Sequence, residues 1–349
     1  MARGRRGCGC AIAALVVFAI IVALVLYFLL RRREERRLPP PTGGELQVHV
    51  LDVGQGDSIL IISPEGKAAL VDAGVPGSGR KILDAMNRYG AKALDLFVAT
   101  HAHADHIGAA DEVMRAVPTR IVLDSGVPNA TKNYEDFLKA VKASRARLVT
   151  AEPGQTFDLG GGAIMTVLAP IKPFFTKEQL RAGGNEPNAN SVVTRLDYGD
   201  FSILLTGDAE AQTEARMINA GLQLAANVLK VGHHGSRYAT SDQFIARVGA
   251  RDAIISDGAD NRYGHPSQET LDRLRAARIN VYRTDLQGEI SIVSRGKGYE
   301  IKTERAAAQG DLWAGRQPDR DDSSRSGFVN FGDFGPSRPR RKERSEKAR

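Results

Sequence analysis

The stretch HAHADH at residues 101–106 holds three of the chain's seven histidines. It directly follows the apolar run 94–99, which predicts a buried strand. Side chains at alternate positions of an extended backbone point to the same side, so His101 and His103 can bind one cation together. The sequence therefore predicts a metal site where this strand ends.

Further polar residues follow two other apolar runs. Asp105 and His106 turn away from the first strand and can face a second cation, and Asp208 comes after the run 201–205 beside a glycine that admits close approach. A carboxylate placed there suits a bridge between two cations. The string HHGS at 233–236 again follows a strand-like run, which indicates that strand ends present ligands to one common rim.

Short β-rich runs alternate with amphipathic helical patterns over residues 45–305. Residues 46–51, 94–99 and 228–231 are strand-like, and 210–220 is a helical stretch. Many strands with interspersed helices favour a layered α/β body with polar motifs at the strand ends.

The formal net charge of +7 comes from the two ends of the chain. Residues 1–37 carry eight arginines and two glutamates, and residues 338–349 carry seven basic and two acidic side chains, so the central body is mildly acidic. A domain that coats nucleic acid would have a basic body, so this class is excluded. Cys8 and Cys10 precede the body, which therefore has neither a disulfide nor a cysteine zinc site.

Twenty consecutive apolar residues at 11–30 predict a single transmembrane helix, since about 20 residues span a bilayer. A cleaved signal peptide is the alternative, but its apolar core would be shorter and would not end in three arginines. The flanking arginines slightly favour a cytoplasmic body, a margin too narrow to settle the side of the cell membrane. We divide the chain into a basic stub (1–10), this helix, a linker (31–44), the body (45–305) and a disordered charged tail (306–349).

The body resembles the metallo-β-lactamase fold hydrolases, and in detail the hydrolase domain of ComEC-type competence proteins. The resemblance covers residues 45–303 in the family's order. Its strings are LDVGQGDS (51–58), VDAG (71–74), THAHADHIG (100–108), NANS (188–191), LTGDAE (205–210), LKVGHHGS (229–236) and NRYGHP (261–266).

This resemblance implies an αββα sandwich with metals at one edge. His101 and His103 would hold the first ion, Asp208 would bridge, and the second ion would be held by Asp105, His106 and His234. The implied cofactor is zinc, as one or two ions. Many members of the superfamily have a further histidine in the first site, but none occurs here between His106 and His233, and Asn190 stands in that region. The first site would then suit a harder ion such as manganese.

The resemblance also implies roles around the metals. Asp72 would support the histidine loop by hydrogen bonding. From the chemistry of the site, Asp105 could orient the attacking hydroxide, and His233 could protonate or orient a leaving oxygen. The expected substrate contacts are Asn190, Ser191, Lys230, Ser236 and His265.

A membrane-anchored phosphodiesterase or nuclease is therefore the leading prediction, with a metal-activated hydroxide acting on DNA or a cell-surface phosphodiester. A lactamase or thioester hydrolase would use the same metals on a carbonyl, because one fold serves many chemistries. A non-catalytic, membrane-tethered binding module is the third prediction. The membrane partner would be reached through residues 11–30, and the sequence leaves the oligomeric state open.

Overall fold

The computed structural model describes residues 44–317 and, nearer the N-terminus, Phe18, Ile21 and Val22. The chain divides into two units, Met1–Pro40 and Pro41–Arg349. Apart from Phe18, Ile21 and Val22, the predicted transmembrane helix lies outside the described residues, as does almost all of the predicted linker. Within the described residues, no helix combines the length and apolar character needed to cross a bilayer.

The second unit is built from two β-sheets with helices around them. Its strands are β1 Leu46–Val50, β2 Ile59–Ile62, β3 Ala68–Val71, β4 Leu96–Ala99, β5 Ile121–Asp124, β6 Arg147–Thr150, β7 Thr156–Gly160, β8 Ala163–Ala169, β9 Val193–Tyr198, β10 Phe201–Leu205, β11 Val228–Lys230, β12 Asp252–Ile255, β13 Asn280–Arg283, β14 Ile290–Ser294 and β15 Glu300–Thr303. Its α-helices are α1 Gly79–Arg88, α2 Ala104–Ile107, α3 Ala110–Ala116, α4 Lys132–Ser144, α5 Glu186–Ala189, α6 Ala211–Asn219, α7 Asp242–Val248, α8 Gln268–Ala276, α9 Thr284–Gln287 and α10 Gln309–Leu312. Short 3₁₀ turns occur at Lys177–Gln179 and Gly232–Gly235.

Both sheets are mixed. The first has the order β15-β14-β1-β2-β3-β4-β5-β6, and the second has the order β13-β12-β11-β10-β9-β8-β7. Strands β3 to β6 run parallel to one another, as do β10 to β13. Parallel strands end at the same edge of a sheet, so each sheet has one edge at which several chain segments leave together.

The core lies between the two sheets and under the helices. Val98 of β4 and Ile203 of β10 belong to the central apolar cluster between the sheets. Ile82 of α1 and Phe137 of α4 pack on the outer face of the first sheet, and Phe244 of α7 packs on the second. Strands such as β4 are therefore buried on both faces, which explains their unbroken apolar sequence. The arrangement confirms the predicted αββα sandwich.

The body extends further than the sequence indicated. The predicted disordered tail began at residue 306, yet α10 packs on the body with Leu312 buried and Trp313 against an apolar cluster. Arg283, 1% exposed, donates to the carbonyls of Asp311, Leu312 and Ala314. The segment therefore supplies hydrogen-bond acceptors to the buried guanidinium of Arg283. The boundary at 305 was wrong, and residues 318–349 lie outside the described range.

Candidate metal centre

The predicted ligands meet where the carboxyl ends of the parallel strands of both sheets come together. His101 and His103 follow β4, Asp208 follows β10, and His234 follows β11. Asp208 comes directly after Gly207, whose φ of 49° is a left-handed conformation and whose hypothetical Cβ would lie 2.8 Å from the Cβ of Thr100. Only glycine fits there, so the loop after β10 can approach the loop after β4 closely.

The first group of donor atoms contains His101, His103 and Asp208. Nε2 of His101 lies 2.9 Å from Nδ1 of His103 and 3.7 Å from Oδ2 of Asp208. The second group contains Asp105, His106, Asp208 and His234. The two groups share Asp208, as expected for a carboxylate that bridges two cations.

Around the second group, the Nε2 atoms of His106 and His234 lie 3.3 Å apart. Asp208 Oδ1 lies 3.2 Å from Nε2 of His106, and Asp105 Oδ2 lies 3.5 Å from Nε2 of His234. Ligands about 2.0–2.1 Å from a tetrahedral zinc ion lie roughly 3.3 Å from one another, so these spacings fit a metal site.

Charge and hydrogen bonding in the cluster also fit a divalent cation. Oδ1 of Asp208 is buried and has no hydrogen-bond partner in the described part of the chain. Burial lowers the pKa of His234, but Asp208 and neighbouring carboxylates raise it to about 10. Burial alone lowers the pKa of His106, but Asp208 and Asp72 raise it well above its usual value. The carboxylates thus favour positive charge at this point, which a cation supplies while the rings stay neutral.

Neighbouring groups hold the ligand rings in place. Oδ2 of Asp72 lies 2.7 Å from Nδ1 of His106, and the same carboxylate accepts hydrogen bonds from the backbone and hydroxyl of Thr100. The Ser256 carbonyl accepts from Nδ1 of His234 at 2.8 Å. In each ring Nδ1 is used by this bond, so Nε2 remains available to the cluster. Metal-binding histidines are usually oriented in this way by a contact at their other nitrogen.

Three residues of the site have left-handed backbone conformations. Asp72, His233 and His234 have φ values of 59°, 47° and 52°. Such conformations cost of order 1–3 kcal/mol each when the residue is not glycine. The surrounding contacts therefore stabilise a strained backbone at the residues that the site uses.

Lys230 does not have the role that the sequence indicated. It is fully buried, and its Nζ lies 2.8 Å from Oδ2 of Asp57 and donates to the carbonyl of Val231. It cannot reach a phosphate from there, so the predicted substrate contact is wrong. Asp57, which the sequence analysis missed, lies with its other oxygen 3.5 Å from Nδ1 of His234. Burial raises the pKa of Asp57, but Lys230 and His234 lower it to about 2, so it stays ionised.

Two other predicted substrate contacts are structural. The Asn190 amide is buried and exchanges hydrogen bonds with the backbone of Phe175 and donates to the carbonyl of Glu186. It is therefore neither a substrate contact nor a ligand. Ser236 is 2% exposed, and its hydroxyl accepts from the backbone of Tyr238. Both predictions are corrected because both side chains are buried and bonded to nearby backbone.

Ser191 belongs to the support of the ligands. It is fully buried, its Oγ lies 3.4 Å from Nδ1 of His101, and it accepts from the backbone N–H of Asp208 at 3.3 Å. A direct substrate contact would require an exposed hydroxyl. This prediction is therefore also corrected.

His233 and His265 lie on the accessible side of the cluster. The His233 side chain is 20% exposed, with Nε2 3.6 Å from Oδ2 of Asp208. Its ring centre is 5.5 Å from that of the half-buried His265. Their predicted contact with substrate stays a prediction. The sequence analysis missed Glu210, whose Oε1 lies 3.1 Å from Nδ1 of His233, and Arg181, which binds the same oxygen.

Comparison with known proteins agrees with this fold and site. The sequence model of the metallo-beta-lactamase superfamily matches residues 51–256 of this chain. The chain belongs to this superfamily of metal-dependent hydrolases, and its His/Asp cluster is consistent with divalent metal binding.

Its curated relatives include proteins of bacterial competence and recombination. It is 32% identical over 264 residues to ComE operon protein 3 of Bacillus subtilis, covering 70% of this chain and 33% of the relative. It is 30% identical over 251 residues to Recombination protein 2 of Haemophilus influenzae, covering 70% and 28%. It is 28% identical over 273 residues to Competence protein ComA of Neisseria gonorrhoeae, covering 77% and 35%. The chain thus corresponds to about a third of the length of these relatives.

Proposed function

We propose that this chain hydrolyses phosphodiesters, with a nucleic-acid strand as the favoured substrate and a cell-surface phosphodiester as the other source of the same bond. The observation that carries the proposal is His233, whose partly exposed imidazole stands beside the carboxylate shared by both ligand groups. An unactivated phosphodiester has a poor leaving group, and a positioned imidazole can supply the proton that the leaving oxygen needs. The similarity to a competence protein and a recombination protein supports a nucleic-acid substrate.

The metal ligands in this proposal are the two groups that share Asp208. His101 and His103 would hold one cation, and Asp105, His106 and His234 the other. Zinc is the expected ion, with manganese as the alternative. When bound, such cations lower the pKa of a coordinated water and stabilise negative charge on the attacked phosphoryl group.

The protein's own groups keep this arrangement ready. Asp72 and the Ser256 carbonyl fix the rings of His106 and His234, and the accessible carboxylate of Asp105 can orient the attacking water. Donor groups fixed before the substrate arrives need not reorganise during the reaction, which is the main advantage of such sites.

Turnover by the purified chain, with added zinc or manganese, tests this proposal. The substrates are bis(4-nitrophenyl) phosphate, a single-stranded oligonucleotide, a thioester and a β-lactam. We expect turnover of the first two, and its loss in the double variant His103→Ala, Asp208→Ala. Turnover of the thioester or β-lactam alone would favour a carbonyl hydrolase. Activity in the double variant would exclude the metal site, and absence of bound metal would favour a binding module.

We also propose that residues 11–30 anchor the chain in a cell membrane, as their twenty apolar residues indicate. The anchored chain should stay in the membrane fraction after alkaline carbonate extraction, and a variant starting at residue 38 should not. Cys8 and Cys10 are the chain's two cysteines, so a membrane-impermeant maleimide reports the side of the N-terminus. Release of the whole chain by carbonate would contradict the anchor.

A further inference from the structure

Three side chains form a line that begins at the metal cluster. Nε2 of His233 lies 3.6 Å from Oδ2 of Asp208, and its Nδ1 lies 3.1 Å from Oε1 of Glu210. The same Glu210 oxygen accepts from Nη2 of Arg181 at 3.0 Å. One carboxylate oxygen thus holds an imidazole and a guanidinium at the same time.

The burial of these groups shows which of them is fixed. Glu210 is 1% exposed, whereas the side chains of His233 and Arg181 are 20% and 33% exposed. A buried carboxylate must be paired to remain ionised, so Glu210 depends on both partners. His233 in turn has its Nδ1 tied down and its other nitrogen directed to the cluster, which leaves the ring little freedom to turn.

Arg181 is itself held in place from several sides. Its guanidinium lies 3.3 Å from the ring centre of Tyr238, and Nη1 donates to the carbonyl of Ala182. Stacking on an aromatic face together with a carboxylate contact is the arrangement for which arginine is suited and lysine much less so. Arg181 belongs to the segment between β8 and β9, which also brings the amide nitrogen of Asn188 to 3.4 Å from Nε2 of His233.

We propose that Arg181 is a positioning residue that acts through Glu210 to aim the His233 ring at the leaving oxygen of the substrate. The inference rests on the proposed phosphodiesterase function. In that step the bond from phosphorus to the leaving oxygen breaks with its electron pair going to the oxygen. The leaving oxygen takes a proton from Nε2 of the His233 imidazolium, which keeps its Nδ1–H on Glu210 and becomes the neutral Nδ1–H form. The attacking water forms the new bond to phosphorus and gives its proton to solvent.

A pair of substrates with different leaving groups separates positioning from general support of the structure. Nitrophenolate leaves without a proton, whereas the sugar oxygen of a dinucleoside phosphate needs one. For Arg181→Met we expect kcat on the dinucleoside phosphate to fall at least about 10-fold with KM within about twofold. On bis(4-nitrophenyl) phosphate we expect kcat of the same variant to fall by less than about threefold. Glu210→Gln should show the same split, and Arg181→Lys should recover part of the loss.

Arg216 offers a matched control in contact with the same segment. It donates to the carbonyls of Ile171 and Pro173 and stacks on Phe175, 3.4 Å from the ring centre, without touching Glu210. Arg216→Met removes an arginine that holds the segment but leaves the line to His233 intact. It should slow both substrates equally or neither. The positioning role would be overturned if Arg216→Met showed the same difference between the two substrates as Arg181→Met. It would also be overturned if Arg181→Met lost the same fraction of kcat on both substrates.

A measurement without substrate keeps the inference separate from the proposed function. The ¹⁵N shifts of the His233 ring, assigned by their loss in His233→Gln, report which nitrogen carries the proton at a fixed pH. For the neutral ring we expect the Nδ1–H form in the wild type, held by Glu210, and a mixture of tautomers in Arg181→Met. Unchanged shifts in Arg181→Met would overturn the inference whatever the substrate. A wild type that hydrolyses neither phosphodiester would instead overturn the proposed function.

Discussion

Asp72 and His106 are joined by a 2.7 Å contact between Oδ2 and Nδ1, and both side chains are fully buried. The opposite nitrogen of the ring faces Asp208. The carboxylate therefore selects the tautomer whose Nε2 lone pair points to the metal cluster.

Replacing Asp72 should weaken metal binding without removing a ligand. For Asp72→Ala we expect an affinity about 10–100-fold lower for the ion of the second group, because the His106 ring loses its support. Competition with a fluorescent chelator measures this affinity. Asp95→Asn changes a carboxylate that contacts the exposed Arg120 and serves as the control. Equal affinities in wild type and Asp72→Ala would contradict the role of Asp72.

Lys230→Met should destabilise the fold and spare substrate binding. The substitution leaves Asp57 buried without its cation, which costs roughly 3–5 kcal/mol in the free energy of unfolding. Urea denaturation measures the loss, and the double variant Lys230→Met, Asp57→Asn should recover much of it. Lys132→Met removes an exposed pair with Asp136 and should leave the urea midpoint nearly unchanged. A raised KM with unchanged stability would instead indicate that Lys230 contacts the phosphate of the substrate, and would contradict its structural role.

Asp124→Asn should stabilise the protein at neutral pH. Burial raises the pKa of Asp124 to about 6 from 3.8, so folding favours the protonated carboxyl and stability falls as pH rises from about 4 to 6. Asparagine keeps the hydrogen bond from the Gly126 N–H and avoids the buried charge. We expect a gain of about 1–3 kcal/mol at pH 7.5 and little gain at pH 4.

Asp158 provides the control for this pH effect. Its carboxylate accepts from the backbone N–H of Gly160 at 2.7 Å, two residues on, just as the Asp124 carboxylate accepts from Gly126. Asp158, however, is exposed. Asp158→Asn should therefore show no gain that depends on pH. A gain at pH 4 as large as that at pH 7.5 would contradict a buried charge at Asp124.

Truncation after residue 305 should destabilise the body. It removes the three carbonyls that accept from Arg283 and the buried side chain of Leu312. We expect a loss of several kcal/mol in thermal or urea unfolding relative to truncation after residue 317, since a buried donor would be left unpaired. Equal stability of the two truncated chains would show that α10 contributes nothing to the fold.

The metal ligands were predictable because their pattern is local. Three histidines after a single apolar run can be recognised without knowing the rest of the fold, and β4 ends at Ala99, two residues before His101. Asp208 and His234 could be predicted because each follows an apolar strand, and parallel strands deliver their ends to one edge.

The partners of the ligands depend on contacts distant in sequence. Lys230 stands between apolar neighbours in β11, which is a signal that it needs a buried carboxylate, but nothing local identifies Asp57 as that partner. Arg181 lies in a polar segment without periodicity, so its contact with Glu210 could not be predicted. Strand β6 was also missed, because it is an exposed edge strand and lacks the apolar run of the central strands.

Anomalous diffraction from crystals grown with zinc or manganese tests the central claim most directly. We predict cations within about 2.0–2.3 Å of the donor atoms of the two groups, with Asp208 contacting both sites. Cations bound elsewhere on the chain, with His101, His103, His106 and His234 left without metal, would contradict the account.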